Sequence, residues 1–214
     1  MKKFFCLAAL LSVCLTRAFA TEQDVVDRSA ETLRQFRAMP ESNIPANVLR
    51  NARGLAIMEV LKVGFVFSGK GGSGVVVART GRGWSGPSFI GTGGAGWGLQ
   101  IGGQVTEFVF VLNTPEAVRA FSRDGNVTLG ADLSAAAGPV GRDLQAGVLP
   151  TAAVYTYSRS QGLFAGASLE GAVIATRKEA NAAYYGRPVA ARQILNGSVP
   201  APRGTSRLRA ALGR

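Results

Sequence analysis

The apolar positions near the start of the chain recur at helical spacing. Thr21-Glu22-Gln23-Asp24 resembles a capping box, and the apolar side chains after it lie three or four residues apart until Met39-Pro40 ends the run. These apolar positions are Val26, Ala30, Leu33 and Phe36. The pattern predicts an amphipathic helix over residues 22–39. A second, short helix is predicted from Pro45 to Gly54, since proline suits the first turn of a helix and glycine its end.

Between Leu55 and about Arg177 the pattern changes to short β-branched or aromatic runs separated by Gly, Asn, Asp and Pro, which predicts strands joined by tight turns. One short helix interrupts them, with Thr114 as its cap and Pro115 in its first turn. The predicted strands are 55–61, 63–68, 74–79, 97–101, 105–112, 151–158 and 163–175. We therefore expect an α+β fold, a twisted antiparallel sheet or partly closed β-barrel of about 7–10 strands with several packed helices.

Helical patterns return near the end of the chain. Residues Ala180 to Tyr185, followed by Gly186, predict one helix, and residues 189–195 predict another. The segment 197–214 combines prolines, glycines and arginines without an acidic residue. That composition predicts a basic, flexible tail.

The first residues have the layout of a secretory signal peptide. Met1-Lys2-Lys3 precedes an apolar run from Phe4 to Leu15, and Ala18-Phe19-Ala20 forms a small-x-small cleavage site. This predicts export to the periplasm, the cell envelope or the extracellular space, with a buried helix or lipid attachment at Cys14 as alternatives. If export were through a eukaryotic pathway, Asn126 and Asn196 would be glycosylation acceptors in form. The expected organisation is a signal peptide over 1–20, one domain over 21–196 and the tail over 197–214.

The composition excludes several kinds of catalysis. The chain has no histidine, and both of its cysteines, Cys6 and Cys14, lie in the predicted signal peptide. Mechanisms that need an imidazole base or a thiolate are therefore excluded, as are metal sites built from those groups. The carboxylates are scattered without a spacing that pairs two of them. We predict that the protein is not an enzyme and has no cofactor or metal; a hydrolase using Ser73 with Lys70 is a third-ranked alternative.

The glycine-rich stretches imitate nucleotide-binding motifs. Residues 64–70 have the spacing of a P-loop, but Gly71 replaces the Ser or Thr that holds magnesium. Residues 69–74 and 91–96 both match G-x-G-x-x-G. Because none of these stretches is followed by a helical pattern, we expect a hairpin turn at 64–70 and no dinucleotide site.

Charge points to an anionic partner. The chain carries 24 Lys and Arg against 13 Asp and Glu, a formal net charge of +11. A protein of this charge is attracted to phosphate-rich surfaces. Export and the lack of a basic stripe interleaved with aromatic residues argue against nucleic acid. The candidate binding residues are Arg50, Arg53, Lys62, Lys70, Arg79, Arg82 and the arginines of the tail.

Several segments together resemble the SYLF domain, a lipid-binding family also described as actin-binding in some fungal proteins. The resemblance covers about residues 22–196. It is carried by Ile44-Pro45, Ala52-Arg53-Gly54-Leu55-Ala56-Ile57, Lys62-Val63-Gly64-Phe65, residues 71–79, Trp84-Ser85-Gly86-Pro87-Ser88, residues 138–142, Tyr155-Thr156-Tyr157-Ser158, residues 162–171, Asn181 and Tyr184-Tyr185-Gly186.

The resemblance implies a non-enzymatic module that binds phosphoinositides or other acidic phospholipids. Our main hypothesis is therefore an exported domain that binds an anionic membrane surface. The alternative is a protein-interaction or envelope-scaffold domain, which in cytosolic relatives would bind actin. Export argues against actin as a partner, because actin is cytosolic.

Overall fold

A computed structural model of the chain describes residues 21–39, 44–139, 152–161 and 173–213. The predicted signal peptide, the strand residues 163–172 and most of the motif 138–142 lie outside the described residues, as does the motif 162–171. The described helices are α1 (Glu22–Ala38), α2 (Ala46–Asn51), α3 (Pro115–Ser122), α4 (Lys178–Tyr185), α5 (Ala191–Leu195) and α6 (Ser206–Leu212), with a short 3-10 helix at Arg203–Thr205. The strands are β1 (Gly54–Thr80), β2 (Gly83–Trp84), β3 (Ser88–Leu112), β4 (Asn126–Thr128), β5 (Ala135–Ala137), β6 (Val154–Gln161) and β7 (Val173–Thr176).

The strands form one curled, mixed sheet that makes a half-barrel, so the α+β expectation is confirmed. Along the sheet the order is β2-β1-β3-β6-β5, and β7 pairs with both β3 and β4. The β5–β6 pair is parallel and the other pairs are antiparallel. A parallel pair was not expected from the sequence.

Two long strands form the centre of the sheet. β1 and β3 pair from Gly54 opposite Leu112 to Val76 opposite Ser88, with a register shift between Phe65 and Phe67. The predicted breaks within 54–80 and 97–112 were wrong, because strand pairing runs through the glycines. The hairpin turn expected at 64–70 is likewise part of β1.

β1 also folds back so that its two halves touch. A Cβ atom on Gly74 would lie 2.1 Å from the carbonyl oxygen of Ile57 and 2.6 Å from the Cα atom of Met58. At the two ends of the strand, the backbone N–H of Arg79 donates to the carbonyl oxygen of Arg53 over 2.8 Å. Residue 74 must therefore be glycine, since a side chain would collide with the backbone of the first half.

Both faces of the doubled strand are buried. Leu55, Ile57, Val75 and Val77 belong to the core under α1, while Ala56, Met58, Val76 and Ala78 belong to a second core on the opposite face. Sheets covered on both faces have nearly continuous apolar strands, which explains the lack of polar alternation here.

A partly buried ion pair fixes α1 on the first core. Thr32 donates through Oγ1 to Glu107 over 2.9 Å, and Arg159 donates to the same carboxylate through Nε over 2.7 Å. Arg159 also donates to Gln35 of α1. At the N-terminus, the capping box predicted at Thr21 and Asp24 is confirmed.

The flexible tail predicted for 197–214 is wrong for its described part, residues 197–213. Leu208, Ala211 and Leu212 of α6 are buried in the core of α1. Arg37 of α1 donates to the carbonyl oxygen of Ala211 over 2.6 Å. The spacing of three and four residues between the apolar positions overrides the basic composition, because it gives the segment one face to bury.

We expect Gly74→Ala to lower the free energy of unfolding by about 3 kcal/mol, as overpacking against backbone does. Gly71→Ala is the matched control, because its added Cβ would have no atom within 4 Å. That control should change stability by less than about 0.5 kcal/mol. Urea denaturation of both variants measures the difference, and equal stabilities would contradict the close approach of the two halves.

Candidate functional site

Three of the six predicted site residues meet at one corner of the sheet. Arg53 directly precedes β1 and Arg79 lies near its end, and a backbone hydrogen bond joins the two residues. Arg82 lies in the turn between β1 and β2. The doubling of β1 therefore gathers side chains that are far apart in sequence. We call these three residues, together with Arg209 of α6, which lines the same cavity as Arg82, the basic corner.

The centre of the corner is Trp84, which is the pairing partner of Arg79 across the β1–β2 turn. The guanidinium carbon of Arg79 lies 4.2 Å from the centroid of the indole ring, a cation–π contact. Trp84 is buried, and its Nε1–H is one of two buried side-chain atoms without a hydrogen-bond partner in the described part of the chain. The tryptophan therefore holds one arginine in place.

A cavity of about 320 Å³ opens beside Trp84, between the β1–β2 turn and residues 197–201. We call it the Trp84 cavity. Arg82 and Arg209 line it, and none of its described lining residues is acidic. Arg82 is positioned by donating through Nη2 to the carbonyl oxygen of Gly197 over 3.1 Å. The cavity therefore suits a carboxylate or another anion.

The wall behind the cavity is the loop Trp84-Ser85-Gly86-Pro87-Ser88, one of the segments that carry the resemblance to the SYLF domain. Ser85 ties it to β1, because the backbone N–H of Ala78 donates to Ser85 Oγ over 3.0 Å. The Tyr185 hydroxyl donates to the carbonyl oxygen of Pro87 over 3.0 Å. Asn181, fully buried, accepts from the backbone N–H of Phe89 over 2.8 Å. Asn181 and Tyr185 thus hold the loop in place from α4.

The other predicted residues lie elsewhere. Arg50 is exposed in the last turn of α2, three residues before Arg53. Lys62 and Lys70 are exposed at the far end of the doubled strand, roughly 25 Å along β1 from the corner. The packing of Val60 against Gly72 places these two lysines at the same end of the sheet.

The structure does not assemble the hydrolase considered for Ser73 and Lys70. Ser73 lies beside Arg28, Thr32 and Glu59 under α1. Residues three apart in a strand point to opposite faces, so Lys70 is directed away from Ser73.

Two carboxylates that are distant in sequence are register partners, Glu59 on β1 and Glu107 on β3. Each is already engaged, because Arg28 lies 3.3 Å from Glu59 and Arg159 pairs with Glu107.

Among the described residues, no group of acidic side chains could hold a metal ion. The described helices include no apolar segment of the length that spanning a bilayer requires.

Arg209 is one of the tail arginines predicted as candidate binding residues, but the sequence did not predict the packed helix that positions it. The signal was available in Leu208, Ala211 and Leu212, whose spacing predicts a helix that packs. The sequence also did not predict the cavity, because no local pattern joins residues 80–86 to residues 197–201.

Comparison with known proteins gives consistent relatives. The family model Ysc84, described as Las17-binding protein actin regulator, matches residues 93–214. The human SH3 domain-containing YSC84-like protein 1 is 47% identical over 183 residues, which is 82% of this chain and 54% of the relative. In Saccharomyces cerevisiae, LAS seventeen-binding protein 3 is 50% identical and Protein YSC84 is 51% identical, each over 164 residues; the match covers 74% of this chain and 36% and 35% of those relatives. The chain thus spans between about a third and a half of the relatives' length.

These relatives contradict the predicted export. They are yeast and human proteins of a family described as an actin regulator, which points to the cytoplasm, where actin is found. The predicted localisation in the periplasm, envelope or extracellular space is therefore wrong, and so is its use as an argument against actin. Residues 1–20 lie outside the described residues.

Burial raises the pKa of Tyr185 above its ordinary value of 10.0. A group whose pKa is raised by folding contributes stability that is complete below about pH 10 and is lost as the pH rises further. We expect Tyr185→Phe to reduce the loss of unfolding free energy above pH 10 by up to about 1.4 kcal/mol per pH unit. Urea denaturation between about pH 9 and pH 11.5 measures this slope, and equal slopes for both proteins would contradict the burial of the phenol.

Proposed function

Because the chain belongs to the Ysc84 family, we propose that it is a non-enzymatic protein-binding domain that binds an acidic protein surface through the basic corner. The relatives carry names that denote binding, since one is Las17-binding and another contains an SH3 domain. The family description adds a role as an actin regulator. Actin and Las17 are therefore the first partners to test.

The observation that carries this proposal is the arrangement of arginines around Trp84. Arginine and tryptophan are enriched among the residues that dominate binding energy at protein interfaces. Guanidinium groups pair with carboxylates through two parallel hydrogen bonds. Arg79 is held on the indole ring and Arg82 on Gly197, so little side-chain freedom is lost when a partner binds.

The absence of an enzyme activity is part of the proposal. The chain has no histidine. The carboxylate pair Glu59 and Glu107 is engaged by Arg28 and Arg159, and it fixes α1 on the sheet. We propose that the binding domain includes the predicted range 21–196 together with the folded segment up to residue 213.

Charge reversal at the corner should weaken partner binding. We expect the double variant Arg82→Glu, Arg209→Glu to bind actin filaments or Las17 at least roughly tenfold more weakly, because it places carboxylates opposite an acidic partner. Co-sedimentation with filaments and binding to immobilised Las17 measure the two affinities at low and moderate salt.

The matched control is Arg203→Glu, which changes an exposed arginine of the 3-10 helix that does not line the cavity. It should bind like the unaltered protein. If the corner variant bound both partners with unchanged affinity, or if both variants lost affinity equally, the basic corner would not be the binding surface.

An anionic phospholipid membrane is a second candidate partner, favoured by a different observation. Leu61 is 47% exposed and is followed by the exposed Lys62, at the same end of the sheet as Lys70. An exposed apolar side chain flanked by cations suits the interface of an acidic bilayer. Each lysine near such a surface contributes about 1 kcal/mol.

Flotation with vesicles tests this second candidate. We expect the unaltered protein to float with phosphatidylserine-containing vesicles and not with phosphatidylcholine alone. The variant Lys62→Glu, Lys70→Glu should lose most of that binding, whereas Lys178→Glu, an exposed lysine on α4, should keep it. Equal flotation with both kinds of vesicle, or equal loss in both variants, would contradict membrane binding at this end of the sheet.

A further inference from the structure

A groove separate from the basic corner lies between α3 and α5. It has a volume of about 730 Å³, which is within the range of ligand-binding pockets. Val118 and Leu195 provide its apolar lining, and Leu195 is 3% exposed. Arg119, Arg123 and Arg192 also line it. The groove therefore combines an apolar floor with exposed cationic side chains.

Three acceptor side chains of the groove form hydrogen bonds within the protein. Asp124 accepts through Oδ1 from the backbone N–H of Ala191 over 3.2 Å, which holds the start of α5 against the end of α3. Gln193 accepts from the backbone N–H of Ala190, and Asn196 accepts from that of Ser198. These contacts fix the shape of the groove and engage one acceptor atom on each of these three side chains.

The guanidinium groups of the three arginines that line the groove form fewer contacts within the protein than its acceptor groups do. Within the described part of the chain, Arg123 and Arg192 have no side-chain hydrogen bond or ion pair. Arg119 pairs with Glu116, but that pair is more than half exposed. Exposed pairs of this kind contribute little stability, so Arg119 can exchange partners easily.

We propose that this groove binds a short acidic peptide segment of a partner protein. One apolar side chain of the peptide would lie on Val118 and Leu195, and flanking carboxylates would pair with Arg119, Arg123 and Arg192. Charge complementarity favours this occupant, because three guanidinium groups face one carboxylate, Asp124, that is already hydrogen-bonded. Guanidinium also matches the planar geometry of carboxylates. This inference goes beyond the proposed function, since it uses none of the residues of the basic corner.

The test is fluorescence anisotropy with the full chain and a short fluorescein-labelled peptide, in which one central leucine is flanked by glutamates and aspartates. We expect saturable binding that weakens at least roughly tenfold when the acids are replaced by their amides or the leucine by serine. The protein variant Arg123→Gln, Arg192→Gln should weaken binding to a similar extent. Arg203→Gln is the matched control and should have no effect. Thermal unfolding followed by circular dichroism verifies that the variants are folded.

Three outcomes would overturn the proposal. The first is an affinity for the acidic peptide no higher than for its amide counterpart. The second is an equal loss in Arg203→Gln, which would indicate attraction to net charge alone. The third is a loss with Arg82→Glu, Arg209→Glu and not with the groove variant, because the peptide would then bind at the basic corner. This last variant separates the failure of the groove from the failure of the proposed function.

Discussion

The structure depends on the close contact between the two halves of β1 at Gly74. The strand can double back only because residue 74 has no side chain to separate it from Ile57 and Met58. The two ends of the strand then meet, and a backbone hydrogen bond joins Arg53 to Arg79. The meeting of Arg53 and Arg79 is therefore a consequence of the fold of one strand. A sheet that opened at Gly74 would separate these two arginines.

Internal packing also determines which charges remain for binding. Glu59 and Glu107 face α1 and are paired with Arg28 and Arg159, and Asp27 lies 3.5 Å from Arg207 of α6. These carboxylates hold α1 between the sheet and α6. The surfaces around Trp84 and between α3 and α5 thereby carry an excess of arginine. The two basic surfaces adjoin, since Asn196 lines the groove and Gly197 lines the cavity.

Local sequence signals predicted the local structure well. The capping box at Thr21, the apolar spacing that follows it, and Gly186 at the end of α4 each identify a helix, because the relevant contacts lie within one turn. The glycines of β1 misled the prediction, because glycine marks a turn and a close backbone approach equally well. At Gly74 the glycine marks a close backbone approach, and this is visible only from the position of the Ile57 carbonyl oxygen in the folded structure.

The candidate site was less predictable, because its parts come from distant segments. Arg53, Arg79 and Arg82 were chosen for their charge, and the fold brings them together, whereas Lys62 and Lys70 lie at the other end of the sheet. Arg209 was assigned to a flexible tail, although its helix packs on α1. The localisation prediction failed for a related reason. A composition signal in the first 20 residues was outweighed by relatives matched over most of the chain.

The central claim is that the two halves of β1 touch at Gly74. Nuclear Overhauser effects in isotope-labelled protein measure this contact directly. The account predicts a strong effect between an Hα proton of Gly74 and the Hα proton of Met58, in addition to the effects with Ile90, which pairs with Gly74 across the ladder to β3. Effects from Gly74 to the residues around Ile90 alone, with none to Met58, would contradict the doubled strand and the meeting of Arg53 and Arg79 that it produces.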